Sequence, residues 1–429
     1  MIVKFSVENY LSFKEKTDIN FEAGGIKDYP DSVFSPFYNS NTTLLKSVGI
    51  FGHNAGGKSN ILKGISFMKD FVLNSSRESN SSQSIRIQPF LLSTTTEHAP
   101  STFEVSFYID SIKYRYGFSV TNKEVESEWL FFTEKRKESI LFARAKQGYT
   151  FEKIFKSDFK GKFELYAEVT RANSLFLSVL AQFNNTLCLK ISNWFNDLIV
   201  ASDSAHFNLI DCTAELMTTS DYRYLVTEMM KKADLGIESV EEKFIGSSST
   251  KNVFSDFVLS ATKSEEESQF HVRTGHIKYN QDNIAVGKVM FDLLKNESLG
   301  TQKFFGILGP ILYALKQRKV ILIDEIDARM HSLLLESVIS LFNSRKYNPN
   351  GAQLVFTSHN THLLKNGLRR DQMAFVEKNE FGVSSLDILH QKAPKVRNDA
   401  TFDKDYLLGK YGAIPKLGSQ LNLFDGESK

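Results

Sequence analysis

Eight consecutive residues carry the most specific chemistry in this chain. Gly52-His53-Asn54-Ala55-Gly56-Gly57-Lys58-Ser59 fits the pattern G-x-x-x-x-G-K-[ST]. Glycines let the backbone curl until successive N–H groups point at phosphate oxygens. Lys58 sets a cation against β- and γ-phosphates, and Ser59 offers a hydroxyl to Mg²⁺. With Asn54, Ala55, Gly56, Gly57 and Asn60 they form the expected nucleotide-binding set. A second set lies far along the chain, in Val320-Ile321-Leu322-Ile323-Asp324-Glu325. Here Asp324 would hold Mg²⁺ through water, and Glu325 would polarise an attacking water. Standing alone, the pair could be a solvated turn after a core strand. Gln353-Leu354-Val355-Phe356-Thr357-Ser358-His359 is another apolar run that ends in a histidine, either structural or a ligand contact. Ser298-Leu299-Gly300-Thr301 opens a helical run, so Ser298, Gly300 and Thr301 make either an anion site or a plain N-cap.

These groups need elements to position them. Val48 to Phe51 is a short apolar strand stopped by Gly52, and Ser59 to about Leu73 repeats its apolar residues at helical spacing. The loop therefore sits between a strand and a helix whose positive end faces the anion. Val320 to Ile323 has no polar interruption and reads as a parallel strand covered on both faces. Ligands of such sheets bind beyond the carboxyl ends of the strands, where Asp324 and Glu325 emerge. Ile2 to Val7 alternates as a strand. Phe103–Ile109, Lys113–Val120, Glu128–Phe132 and Ser139–Phe142 follow at hairpin intervals and predict an antiparallel sheet beside the nucleotide strand. From about Arg171 to Asp234 the pattern turns helical. Polar stretches at Asn74–Ser82 and Gly246–Glu267 read as a flexible loop and an excursion.

The predicted organisation is an α/β head in two parts, 1–165 and 296–390, with a mainly helical lobe at 166–295 inserted between them and a tail at 391–429. Both α/β parts must fold together, because the phosphate loop and the acidic strand belong to one site. Composition permits this: 429 residues, 41% apolar and 24% charged, are those of a packed globular chain. Lysine plus arginine, 52, nearly cancels aspartate plus glutamate, 50. Net charge thus leaves nucleic acid possible but gives no reason to invoke it. Two scattered cysteines, Cys188 and Cys212, offer neither metal-ligand spacing nor a disulfide framework. No signal peptide and no run near twenty apolar residues is visible, so the expectation is a cytoplasmic protein away from membranes.

The combination resembles the ABC-type P-loop ATPases, in the branch of SMC and RecF heads. Asn9-Tyr10-Leu11-Ser12-Phe13 is similar to the opening N-F-x-S-F of those heads, with Leu11 where many relatives have a basic residue. The resemblance implies ATP and Mg²⁺ as cofactors and hydrolysis to ADP and phosphate. It makes Asp327 the D-loop aspartate and His359 the residue that contacts the γ-phosphate. It makes Ser298, Gly300 and Thr301 a signature loop facing nucleotide held by another subunit, so the protein would be at least a homodimer. Gln88 is the candidate Q-loop glutamine and metal sensor, with Gln83 as its rival; a surface glutamine is the alternative for both. His331 and His362 are not expected to touch nucleotide.

Five stretches are similar to the RloA-like bacterial ATPases. They are Glu297–Thr301, Ile323–Asp327, Gln353–His359, Arg370–Gln372, and Lys410-Tyr411-Gly412-Ala413-Ile414-Pro415. That likeness implies a sensor, regulatory or scaffold subunit of an antiphage-defence system with a separately encoded effector. Relatives of the OLD type carry a C-terminal nuclease, but only about 40 residues follow Leu389, too few for such a domain. A DNA-repair clamp of the SMC kind is the competing function. The lack of sustained heptads and the near-neutral charge argue against it.

Overall fold

The computed structural model describes residues 1–77, 84–134, 137–145, 148–151, 163–201, 206–233, 236–245, 268–365, 367–392 and 402–413. At its centre is a six-stranded sheet ordered Ile199–Ala201, Val320–Ile323, Gln353–Ser358, Ser47–Phe51, Met373–Lys378, Ser384–Ile388. The first five strands are parallel and the last is antiparallel. Side chains alternate across it, as a pleated strand requires. Phe51, Ile321, Ile323, Leu354, Phe356 and Phe375 enter one core; Val48, Ile50, Val320, Leu322, Val355 and Val376 enter the other. Burial on both faces is why Val320–Ile323 and residues 354–356 read as unbroken apolar runs.

The expected antiparallel sheet is present, with seven strands ordered Gly148–Phe151, Glu138–Ala145, Val125–Thr133, Ile112–Val120, Ser101–Ile109, Ile2–Glu8, Thr17–Asn20. Gln353 ties the two sheets together. Its Oε1 accepts from the Ile2 N–H at 2.8 Å, and its Nε2 donates to the carbonyls of Ile2 at 3.0 Å and Leu45 at 3.2 Å. Between the sheets lies the helix Lys58–Asn74. Phe67 on that helix meets Phe103 of the antiparallel sheet at 4.9 Å between ring centroids, and Phe103 meets Tyr10 at 5.1 Å. The helix contains a glycine, two serines and β-branched residues, so intrinsic propensity supports it weakly. Burial, at about 2 kcal/mol per large apolar side chain, is what fixes it in place.

The opposite face of the central sheet is covered by the helices Leu299–Gln317, Ser332–Asn343 and His206–Met217. The stretch 166–295 is less purely helical than its periodicity suggests. Its helices Phe176–Gln182, Thr186–Asn196, His206–Met217 and Ser220–Lys232 are joined by a strand, Ile199–Ala201, that completes the central sheet. It also holds a three-stranded antiparallel sheet of Ile237–Phe244, Phe270–Tyr279 and Ala285–Asp292. Those strands are missed because only a few of their residues reach the core, among them Ile237, Val240, Phe270 and Val272. Most of the others are half-buried or exposed, leaving little alternation to detect. Residues 78–83, including Gln83, the Gly246–Glu267 stretch and Ile414-Pro415 lie outside the described residues. No described helix is long and apolar enough to cross a membrane.

Candidate functional site

Strand order decides the site. Gln353–Ser358 lies between Val320–Ile323 and Ser47–Phe51, so its carboxyl end is flanked by the acidic turn and the phosphate loop. The helix after the loop begins at Lys58 with Gly57 at its N-cap, and no side chain caps it. The Lys58 and Ser59 amides of its first turn are therefore donors for an anion, while the Asn60 N–H turns back to the Gly57 carbonyl at 3.0 Å. The buried Lys58 ammonium donates to the carbonyls of Gly52 at 2.9 Å and His53 at 3.0 Å, and lies 3.4 Å from Nδ1 of His359. Burial pulls the Lys58 pKa down to about 8, against the opposing pull of Asp327, Glu325 and Asp324. His359 is also lowered, first by burial and then by the Lys58 cation, so its imidazole is neutral at pH 7.

The acidic turn is built with comparable care. The Ser59 hydroxyl donates to Oδ1 of Asp324 at 2.9 Å. The same carboxylate oxygen accepts from the Thr357 hydroxyl at 2.6 Å, and Thr357 in turn accepts the Glu325 N–H at 2.7 Å. Glu325 has φ of 46°, a left-handed conformation that costs a non-glycine residue about 1–3 kcal/mol. Three contacts hold it there: Thr357 on its N–H, and both the Lys303 ammonium at 2.7 Å and the Ala328 N–H at 2.9 Å on its carbonyl. Asp327 accepts the His359 N–H through Oδ2 at 2.9 Å, coupling the turn to the histidine. Ser59 and Asp324 supply hard oxygen donors side by side, a set that suits Mg²⁺.

A cavity of about 730 Å³ gathers most of the predicted residues. Asn54, Ala55, Gly57, Lys58, Ser59, Asn60, Glu325 and His359 line it, joined by Lys63 and Lys378. Asp324 reaches this group through Ser59, and Gly56 stands behind it with its carbonyl turned toward Ser384. Gln88 is exposed and does not line the cavity; its carbonyl accepts the Leu11 N–H at 3.0 Å. Ser298, Gly300 and Thr301 do not line it either. Ser298 caps the helix Leu299–Gln317, accepting the Thr301 N–H at 3.1 Å. Gly300 packs so tightly that a Cβ there would sit 2.4 Å from the Arg329 carbonyl oxygen, next to the acidic turn. His331 caps the following helix and His362 pairs with Glu336 at 2.9 Å; neither lines the cavity.

Sequence reasoning missed Lys63, Lys378, Thr357, Lys303 and Ser384. Each is an ordinary residue of a helix or strand, with no spacing that marks it. The two C-terminal stretches prove to be supports. Gln372 donates to the Ser47 carbonyl at 3.0 Å and to Asn343 at 3.1 Å, anchoring the base of the phosphate-loop strand. Asp371 pairs with the buried Arg369 at 2.8 Å. The turn Lys410–Ala413 returns to the loop itself, where the Ala413 carbonyl accepts the His53 N–H at 3.0 Å. Tyr406 and Tyr411 stack on Phe375 to hold it there.

The family model described as "AAA domain, putative AbiEii toxin, Type IV TA system" matches residues 47–365, a span that includes the phosphate loop, the acidic turn and His359. No curated protein matches the chain in sequence. Among solved structures, the SMC head domain from Thermotoga maritima aligns over 90% of this chain and 98% of that chain, at 13% identity and a TM-score of 0.40. With the family match covering well over half its length and the P-loop α/β architecture in place, the chain belongs to this family of AAA ATPase domains.

Proposed function

We propose that the protein binds Mg²⁺–ATP in this cavity and hydrolyses it. The observation that carries the reading is the meeting of two remote segments: the Ser59 hydroxyl lies 2.9 Å from Asp324, within a pocket that also presents Lys58, Glu325 and His359. Lys58 and the loop amides hold the phosphates, and Ser59 and Asp324 would hold the metal, which offsets phosphate charge when bound. Glu325 orients water and accepts its proton, while neutral His359 meets the γ-phosphate. In this reading Ser298, Gly300 and Thr301 of a second copy complete the site, so the working unit is at least a homodimer. Their position at a helix N-terminus beside the acidic turn, outside the cavity of their own chain, supports that arrangement.

At the biological level, the protein acts as sensor or regulatory subunit of an antiphage, abortive-infection-like system with a separate effector protein. The family's description, which names a toxin and a type IV system, supports that setting. The chemistry is tested with Glu325→Gln. Nucleotide affinity is expected to stay within about threefold of wild type while turnover falls 10²- to 10⁴-fold, the usual contribution of a general base. Wild-type turnover in Glu325→Gln would sink the assignment.

A further inference from the structure

Two serines from opposite ends of the chain close on the back of the phosphate loop. Ser12 lies in the loop after the first strand, and Ser384 opens the last strand of the central sheet. Both are buried. Their backbones are joined, the Ser384 N–H donating to the Ser12 carbonyl at 2.7 Å. Their hydroxyls are 2.8 Å apart. The Asn60 side-chain amide donates to the Ser12 hydroxyl at 2.7 Å, and the Ser384 hydroxyl donates to the Gly56 carbonyl at 2.6 Å. A hydroxyl has one proton to give. The Ser384 proton is shared between the Gly56 carbonyl and Ser12 Oγ, and Ser12 Oγ accepts from Asn60 as well, which makes one connected network. It bridges the loop to the first turn of the helix that follows.

The direction of that last bond matters. In a trans peptide the C=O and the next N–H point opposite ways. Fixing the Gly56 carbonyl on Ser384 therefore aims the Gly57 N–H away from Ser384, toward the cavity that Gly57 lines. The fit leaves no room for a side chain. Gly57 has φ of 114°, and a Cβ there would meet Ser384 Oγ at 2.4 Å and Ser12 Oγ at 2.8 Å. The Ser12 end is itself anchored. Asn9 and Leu11 take left-handed φ values of 50° and 51°. The Asn9 amide donates to the carbonyls of Thr96 and Ala99, each at 2.9 Å, and its Oδ1 accepts from the Phe90 N–H at 3.0 Å.

We propose that Ser12 and Ser384 are positioning residues that hold the phosphate loop in its anion-binding curl, through bonds to the Gly56 carbonyl and the Asn60 amide rather than to phosphate. The Asn9–Phe13 opening motif, which lacks a basic residue at Leu11, thus serves the site through Ser12. The inference rests on the ATP-binding reading, and its test separates the two. Wild type and Lys58→Ala are titrated first with Mg²⁺–ATP; binding by wild type that Lys58→Ala loses upholds that reading. Ser12→Ala, Ser384→Ala and the double variant follow, in the full chain. Loss of one such bond is expected to weaken Mg²⁺–ATP binding about tenfold. The loss should appear in KM, with kcat within about twofold, and the double variant should lose less than the two singles combined, because Ser12 and Ser384 share one hydrogen bond. Amide hydrogen exchange across residues 50–60 of the nucleotide-free protein should quicken in every variant, a readout that stands even if ATP proves not to be the ligand. Affinities and exchange equal to wild type, or losses that add in the double variant, would overturn the proposal. If Ser384→Ala does not fold, Ser12→Ala carries the same measurements.

Discussion

Nucleotide binding should become proton-linked through Lys58, and the expected size can be worked from its surroundings. Burial lowers this lysine from 10.5 to about 8, and the nearby carboxylates of Asp327, Glu325 and Asp324 offset only part of that fall. A bound triphosphate brings further negative charge to the ammonium and raises its pKa again. Binding therefore takes up a proton between the free and bound pKa values. Affinity is full below about pH 8 and falls as pH rises through that value, by up to tenfold per pH unit. At pH 9 the dissociation constant should be about tenfold larger than at pH 7, equivalent to ~1.4 kcal/mol. The assay is calorimetric titration with Mg²⁺–ATP from pH 7 to 9.5, in buffers of different ionisation enthalpy. At pH 8.5 the uptake should be roughly three-quarters of a proton per nucleotide. Lys58→Arg, whose charge does not titrate here, should bind more weakly but without a slope. A dissociation constant that is flat from pH 7 to 9.5, with no proton taken up, would refute the reasoning.

Two further perturbations probe the parts around that lysine. Thr357→Val keeps the shape of a buried side chain but strands the Glu325 N–H and removes the donor to Asp324. It should lower unfolding free energy by about 2 kcal/mol at unchanged m-value and reduce turnover, so an unaltered denaturant midpoint would count against Thr357 as the hub of the acidic turn. Ser298→Arg should leave ATP binding to the free chain intact yet depress turnover when mixed with wild type; mixed oligomers that hydrolyse at the wild-type rate would exclude the two-copy site.

The fixed pattern of Gly52–Ser59 and the apolar run before Asp324 were legible as a phosphate loop and a buried acidic strand, because their chemistry depends on residue type at short spacing. Three strands of the central sheet, Ser47–Phe51, Val320–Ile323 and Gln353–Ser358, were legible for a related reason: strands buried on both faces must be largely apolar. The helix Lys58–Asn74 and the long antiparallel strands also announce themselves, through periodicity enforced by burial on one side. What stayed hidden depends on contacts between residues far apart in sequence. The strand Ile199–Ala201 is too short to show a period, and the sheet of 237–292 is too exposed. Thr357 gains its role only because its strand runs between the loop and the acidic turn, and Lys303 because its helix passes beneath Glu325. Ser12 and Ser384 are unremarkable serines until the two ends of the chain meet behind Gly56. The sequence by itself marked the residues proposed to meet phosphate and water, since local pattern places them. Only the tertiary structure decided what holds those atoms still, since single hydrogen bonds between distant segments leave no periodic trace in the chain.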